Sequence, residues 1–375
     1  MEQVLYQLPN GWEWKRIEDV FSITSGKNLT KQDMRDEGDF PVYGGNGITG
    51  KHNDYNLDGS NIIIGRVGAL CGNVRLVEEK IWITDNAFFI KEYKVEILKA
   101  YLAKLLAAIN LGETANKSAQ PVISYKGIKD LYIPYPPLNE QKRIVKKLDA
   151  LLTRIDNAVE HLQSKLDLSK QLFESILDEF FKLPNCNSVP LTEVVDFIGG
   201  SQPPKSQFSD VQKEGYVRLI QIRDYKSNDH IVYVDSASTK KFCTKDDVMI
   251  GRYGPPVFQI LRGLDGAYNV ALMKAVPKED ILTKDYLFWF LQSPSIQNYV
   301  ISISQRAAGQ SGVNKKALEK YLIPIPNKVM QDDIVDKVGR LISKSRDLES
   351  EVLSEIESLS KLKASILDSA FKGEL

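Results

Sequence analysis

The residues whose types suggest chemistry come as near-motifs and as pairs. Gly45-Asn46-Gly47-Ile48-Thr49-Gly50-Lys51-His52 nearly spells a phosphate-binding P-loop. His52 stands where a Ser or Thr hydroxyl would hold magnesium, however, and the following HNDYNLDG does not open a helix. The segment reads as a glycine-rich turn, with a place beside a nucleic-acid backbone as one use. Tyr135-Pro136-Pro137 approaches the Asn/Asp-Pro-Pro-aromatic motif of adenine methyltransferases, but Pro134 occupies the place of the amide or carboxylate. Phe197-Ile198-Gly199-Gly200 is too short for an S-adenosylmethionine loop. No carboxylate pair with a lysine stands at nuclease spacing. The three cysteines (Cys71, Cys186, Cys243) and three histidines (His52, His161, His230) are scattered, with no zinc spacing. The chain alone reads as non-catalytic, with no metal and no cofactor.

The pairs point to binding instead. Arg66 and Arg252 each follow an expected strand and lead into a glycine. A guanidinium there reaches guanine bidentately or holds a phosphate; equally, it packs on the sheet as a structural arginine. Gln120 and Gln310, in SAQPVIS and AAGQSGVN, are of the type that reads base edges. Lys126, Lys129, Lys315 and Lys316 precede two long helical patterns, as phosphate contacts or as a solvated face. The candidate nucleic-acid contacts are Lys27, Asn46, Lys51, Arg66, Gln120, Lys126, Gln202, Arg223, Arg252, Tyr253, Gln310, Lys315 and Lys316. Trp82 and Trp289 read as core.

These residues are carried by a pattern that occurs twice. ISYKGIKDLYIPYPPLNEQKRIVKKLDALL, from Ile123, and VNKKALEKYLIPIPNKVMQDDIVDKVGRLI, from Val313, align at a shift of 190 for 60 residues without a gap. Ile133-Pro134 falls on Ile323-Pro324, Gln141 on Gln331, and SILDEFFK (175–182) on SILDSAFK (365–372). Weaker echoes precede each copy. Ser25-Gly26 answers Gly199-Gly200, Ile64-Gly65-Arg66 answers Ile250-Gly251-Arg252, and Asn86 answers Asn269.

The 375 residues suffice for two or more domains, with 43% hydrophobic and 26% charged residues, as in soluble globular proteins. With 49 basic and 49 acidic residues the net charge is zero, so any basic surface must be local. The odd, separated cysteines read as reduced thiols of a cytosol. The N-terminal sixteen residues hold no signal-peptide core, and no run approaches the ~20 apolar residues of a membrane span.

After Pro137, a helix is expected from about Leu138 to Pro184, with Asn139 as cap. Its apolar seam is Ile144, Leu148, Leu151, Ile155, Ala158 and Leu162, resuming after a slip near Lys165 with Leu172, Ile176 and Phe180. The second runs from about Lys328 to Phe371 along Ile334, Val338, Leu341, Leu348, Val352, Leu359, Leu362 and Ile366. Each spans roughly 65–70 Å, wider than a single globular core, so each must bury its seam against another long helix. Parallel pairing would need a return path that the ~140 residues between them do not provide; antiparallel pairing needs none. The expected result is a pseudo-two-fold arrangement with a globular unit at the start of each helix, which suits duplex half-sites repeating every 34–36 Å.

This layout resembles the specificity subunit of type I restriction–modification enzymes over essentially all of the chain. The tokens are the twice-used LYIPYPPLNEQKRIVKKLDALL and YLIPIPNKVMQDDIVDKVGRLI, the twice-used SILD-x-x-FK, PVYGGNGITGKHNDYN and the paired IGR-x-G segments. The second copy departs at Asn327 to Gln331, which lacks the glutamate of Pro137 to Gln141. The resemblance implies an α+β chain: two mixed α/β target-recognition domains separated by two long helices pairing as an antiparallel coiled coil, with an internal pseudo-two-fold repeat. Its domains would be 1–137 (target-recognition domain 1), 138–184 (long helix 1), 185–326 (target-recognition domain 2) and 327–375 (long helix 2). It further implies double-stranded DNA with a bipartite site and two docked methyltransferase subunits, to which motor-nuclease subunits add. S-adenosylmethionine, ATP and magnesium would sit on those partners, and the location would be the cytoplasm of a bacterium or archaeon. A coiled-coil scaffold whose ends bind proteins is the rival reading, which the zero net charge favours slightly. A nuclease or methyltransferase in its own right is disfavoured by the missing motifs.

Overall fold

The computed structural model describes residues 3, 5–116, 119–304 and 312–375. It divides into two compact units, Met1–Leu162 with Leu353–Leu375, and Gln163–Val352. The division passes through both long helices, Leu138–Phe180 and Lys328–Lys372. Each unit therefore holds a globular part, the start of its own long helix and the end of the other.

In unit 1 the strands Glu13–Arg16 and Tyr132–Tyr135 pair antiparallel and zip the start of the globular part to its end. Pro134 has no N–H to donate, which suits this two-stranded ribbon better than a sheet interior. The main antiparallel sheet runs Phe21–Ser25, Ala87–Tyr93, Asn61–Gly65, Val74–Val77. Its centre is the β-branched run Ile62-Ile63-Ile64, buried on both faces. Ile62 and Ile64 pack with Tyr101, Leu102 and Leu105 of the helix Lys99–Ala108, while Ile63 faces Tyr43, Ile81 and Ile83. A smaller sheet orders Gly47–His52, Phe40–Gly44, Trp82–Ile83, the last pair parallel. The near-P-loop is thus the turn and second strand of a hairpin.

Unit 2 repeats the plan. Ser188–Pro190 pairs with Leu322–Pro324, and the main sheet runs Val195–Gly199, Leu272–Pro277, Val248–Gly251, Gln259–Leu261. In the smaller sheet Tyr216–Ile220 lies parallel to Gly266–Tyr268, as Phe40–Gly44 does to Trp82–Ile83. The helices Lys284–Phe290 and Pro294–Ser304 cover the main sheet with a more aromatic core than unit 1 has.

The long helices pair antiparallel. In unit 1, Lys363 Nζ meets Asp156 Oδ1 at 2.6 Å, and Arg143 donates to the Leu375 carbonyl at 2.7 Å, so residue numbers fall along one helix as they rise along the other. Each helix also ends in a globular core: Phe371 packs edge-on against Tyr101 at 5.6 Å in unit 1, and Phe181 against Tyr286 at 5.3 Å in unit 2. The first helix ends at Phe180, ahead of Pro184.

Of the expected seam, Ile144, Leu148, Ile155, Ile334, Val338 and Val352 are buried, and Leu151, Leu162, Ile176, Leu341, Leu348 and Ile366 are half-buried. Leu362 is the exception at 49% exposed. The seam runs Val352, Ile356, Leu359, Lys363, Ile366, Ala370, and Lys363 fills it with its aliphatic stem while its ammonium reaches Asp156. Leu172 is displaced in the same way, 61% exposed beside half-buried Phe173. Ala158, Leu162 and Leu166 are half-buried at two successive steps of four, after which Ser169, Phe173 and Ile176 continue the seam, so the register shifts beside Lys165 as expected, and the seam resumes through Phe173 rather than Leu172. The first helix opens at Leu138, which places Asn139 inside the first turn. The second is capped by Asn327, whose side-chain oxygen accepts from the Met330 amide at 2.9 Å; the first copy has Pro137 there.

Candidate nucleic-acid interface

In unit 1 the strand ends bring several candidates to one rim. The Lys27 amide donates to the Ile83 carbonyl at 3.0 Å, directly after Gly26. A Cβ at Gly26 would lie 2.1 Å from that carbonyl, so only glycine lets the chains approach. The Arg66 amide donates to Asn86 O at 3.0 Å, and its Nη1 to Asp85 O at 3.2 Å. Its guanidinium lies 5.4 Å from the Phe88 ring, and its carbonyl accepts from the Ile123 amide. Arg66 is therefore laced to the sheet end, as the structural reading requires, and the residue as a whole is half-buried. Gln120, exposed, precedes Pro121, whose carbonyl accepts from the Gly68 amide. Asn46 is exposed at the tip of the Phe40–His52 hairpin. The turn is held from behind, where Asn73 Nδ2 donates to Gly45 O at 3.0 Å and Arg75 Nη2 to Asn46 O at 3.2 Å.

Other unit 1 candidates lie apart from this rim. Lys51 is four residues along its strand, where its carbonyl accepts from the Arg35 amide. Lys126, on the Ser124-capped turn Tyr125–Ile128, lines a cavity of about 570 Å³ with Glu113 and Asp130. Lys129 donates to Asp130 and Glu18, and these hydrogen bonds, that to Asp130 first and that to Glu18 second, raise its pKa.

Unit 2 builds the same rim from different side chains. The Ser201 amide donates to Tyr268 O, and a Cβ at Gly200 would fall 2.0 Å from Asn269 O. The Arg252 amide donates to Ala271 O at 2.9 Å, its Nη1 to Val270 O at 3.3 Å, and its carbonyl accepts from the Val313 amide. These bonds match Thr84 with Asn269, correcting the alignment of Asn86 with Asn269: the amides of Thr84 and Asn269 donate to Tyr43 O and Ile220 O respectively. Tyr253 is exposed, bridges Gly312 and lies 5.2 Å from the Arg252 guanidinium. Arg223 projects from the turn Ile222–Tyr225, and Gln202 is exposed beside Ser201. Lys315 is committed to the fold, donating to Phe197 O at 2.9 Å and pairing with Glu319; Lys316 is exposed. Gln310 lies outside the described residues.

Reading the sequence for contacts missed the pieces that anchor these rims. Gln141 and Gln331 are fully buried although polar. Gln141 Nε2 donates to Pro136 O at 2.9 Å and its Oε1 accepts from the Leu98 amide at 2.8 Å. Gln331 Nε2 donates to Pro326 O and Ile281 O, and its Oε1 accepts from the Thr283 amide at 2.9 Å. Each glutamine ties the first turn of a long helix to the start of the globular helix above it. Tyr101 and Tyr286 add matching bonds to Pro134 O and Pro324 O. The coincidence of Gln141 with Gln331 in the repeat was the available signal. Unit 2 also buries a charge cluster: Asp247 meets Lys284 at 3.0 Å and Lys274 at 3.2 Å. Burial works to raise the Asp247 pKa, but the Thr244 amide and the two lysines outweigh it and hold the carboxyl below its ordinary value. Among the described residues no His, Cys, Asp and Glu group could hold a metal ion.

The family model of the type I restriction modification DNA specificity domain matches the chain twice, over residues 9–166 and 185–358. The type I restriction enzyme EcoBI specificity subunit of Escherichia coli is 27% identical over 310 residues, 72% of this chain and 63% of that subunit, so the match spans less than two thirds of the relative's length. The MjaVIII specificity subunit of Methanocaldococcus jannaschii is 24% identical, with 98% of this chain and 94% of that one covered. A chain solved in work on complex assembly and conformational transition of the type I R-M system shares the fold with a TM-score of 0.76 at 21% identity, over 99% of this chain and 100% of that chain. The HsdS subunit from Thermoanaerobacter tengcongensis shares it at 0.55 and 22%, over 99% of both. With the specificity domain matched twice and the same rim built twice, the chain belongs to the type I restriction–modification DNA specificity family.

Proposed function

We propose that each globular part reads one half of a bipartite duplex DNA target, while the antiparallel helices set the spacing and dock two methyltransferase subunits, to which motor-nuclease subunits add. The observation that supports this most is the duplicated rim. The same strand ends, glycine approach and laced arginine recur in both units, and the side chains around them differ. A shared frame with divergent tips suits two readers of unlike sequence. The contacts would come from Lys27, Asn46, Arg66 and Gln120 in one unit and Gln202, Arg223, Arg252 and Tyr253 in the other, with Lys51, Lys126, Lys316 and Gln310 as outlying phosphate or base contacts; Lys315, held by Phe197 O and Glu319, is left out. The net-neutral chain leaves attraction to DNA to these local groups.

In this reading the subunit is not itself a catalyst; S-adenosylmethionine, ATP and magnesium are bound by its partners, in the cytoplasm of a bacterium or archaeon. Among the described residues no helix is long and apolar enough to cross a membrane. Methylome sequencing of a host carrying the complete operon tests the proposal. A split methylated motif is expected, and exchanging residues 185–326 for those of a relative should change one half only. A single uninterrupted motif would overturn it. Salt-independent duplex binding by the assembled complex would instead favour a protein-binding scaffold.

A further inference from the structure

The turn that follows the parallel strand of the smaller sheet occupies one slot in both units. In unit 1 it is Gly45-Asn46-Gly47, after Phe40–Gly44; in unit 2 it is Gln221–Tyr225, after Tyr216–Ile220. Both turns pack on the glycine that precedes the laced arginine. A Cβ at Gly65 would lie 2.2 Å from Gly45 O, and one at Gly251 would lie 3.3 Å from Ile222 Cδ1. Each turn thus sits against Gly65-Arg66 or Gly251-Arg252, but the two are braced by unrelated means. In unit 1, Asn73 and Arg75 hold the backbone of the turn. In unit 2, buried Asp224 accepts from the Gln221 amide at 3.1 Å and pairs with Arg218 Nε at 3.6 Å. A carboxylate is buried there to shape the turn that carries Arg223.

The tips therefore differ where the frame does not. The Asn46 side chain makes no hydrogen bond among the described residues and is exposed. Arg223 is exposed; its Nη2 donates to His230 O at 3.4 Å and its Nε lies 3.9 Å from Asp224 Oδ1, which leaves the rest of its donor fork for a ligand. One tip is a short amide and the other a long guanidinium, and each stands on a backbone fixed from behind, the arrangement that base readout needs. Asn pairs bidentately with the N6 and N7 edge of adenine, and Arg with the O6 and N7 edge of guanine.

We infer that this slot is the base-reading position of each unit, with Asn46 specifying an adenine in one half-site and Arg223 a guanine in the other. The inference rests on the bipartite reading proposed above. Its test is methylome sequencing, with duplex competition by the assembled complex, for wild type, Asn46→Ala, Arg223→Ala and Arg223→Lys. Asn46→Ala should relax one adenine position in one half-site, and Arg223→Ala one guanine position in the other, each with an about 10- to 100-fold loss of discrimination at that position. Arg223→Lys keeps the charge but loses the planar fork, so it should relax the same guanine while leaving the salt dependence unchanged. Uniform weakening across sequences, with a salt slope lowered by about 1, marks a phosphate contact and overturns the inference. So does an unaltered motif in the variants. A wild-type motif that is not split defeats the bipartite reading itself, and is seen before any variant is compared.

Discussion

Unit 1 and unit 2 hold the same backbone with different chemistry. Both zip their ends with a short proline-containing ribbon, and both pin a buried glutamine between two helices. Both seat a phenylalanine from the end of the other long helix against a buried tyrosine. They part at the fill. Unit 1 covers its sheet with the Ala- and Leu-rich helix Lys99–Ala108, and unit 2 with Tyr286, Phe288, Trp289 and Phe290. Unit 1 braces its strand-end turn with an asparagine and an arginine, unit 2 with a buried aspartate. The difference teaches that the joints to the long helices are under common constraint while the strand-end turns are free to vary. That is the economy expected of exchangeable heads on a common frame.

The seam offers the sharpest test of that common frame. Leu148 and Val338 are equivalent and fully buried, whereas Leu362 is a leucine outside the seam. Leu148→Ala should cost about 2–5 kcal/mol in urea unfolding, and Leu362→Ala under about 0.5 kcal/mol. Equal costs would mean the seam passes through Leu362 after all. The glutamine joints come next. Gln141→Ala and Gln331→Ala each strand two or three buried backbone partners and should each cost about 1–3 kcal/mol. A loss in only one variant would break the equivalence of the joints.

The smallest effect separates the units by pH. The folded-state pKa of Asp247 is depressed, so its contribution is present above the ordinary carboxylate value and is lost as the pH falls through the folded value. Stability should therefore drop below about pH 4, and Asp247→Asn should flatten that part of the urea-midpoint profile while lowering the midpoint near neutrality. An unchanged acid limb in the variant would remove the triad as its cause.

The long helices were legible because their signal is periodic and repeated: Ile144, Leu148 and Ile155 declare a face from spacing alone, and the shift of 190 confirms it. Leu362 and Leu172 misled because a leucine beside the seam looks like a leucine in it. Only the partner helix distinguishes Lys363, lying on Asp156, from its apolar neighbour. Lys315 looked like a free cation, and nothing local announces that it reaches Phe197, 118 residues away. For Arg66 and Arg252 the sequence leaves two roles open; their bonds to Asp85 O and Val270 O show the structural one.

The sequence by itself determined the duplicated plan, the length and antiparallel sense of the helices, and the polar, glycine-rich character of the strand-end turns. These follow from composition, period and chain length, which are properties of neighbouring residues. Tertiary structure alone decided which turns share a rim, that Gln141 and Gln331 are joints, and that Asn46 and Arg223 occupy one slot. Those facts depend on hydrogen bonds between strand ends far apart in the chain, made where backbones approach too closely for any side chain but hydrogen at Gly26, Gly65 and Gly200.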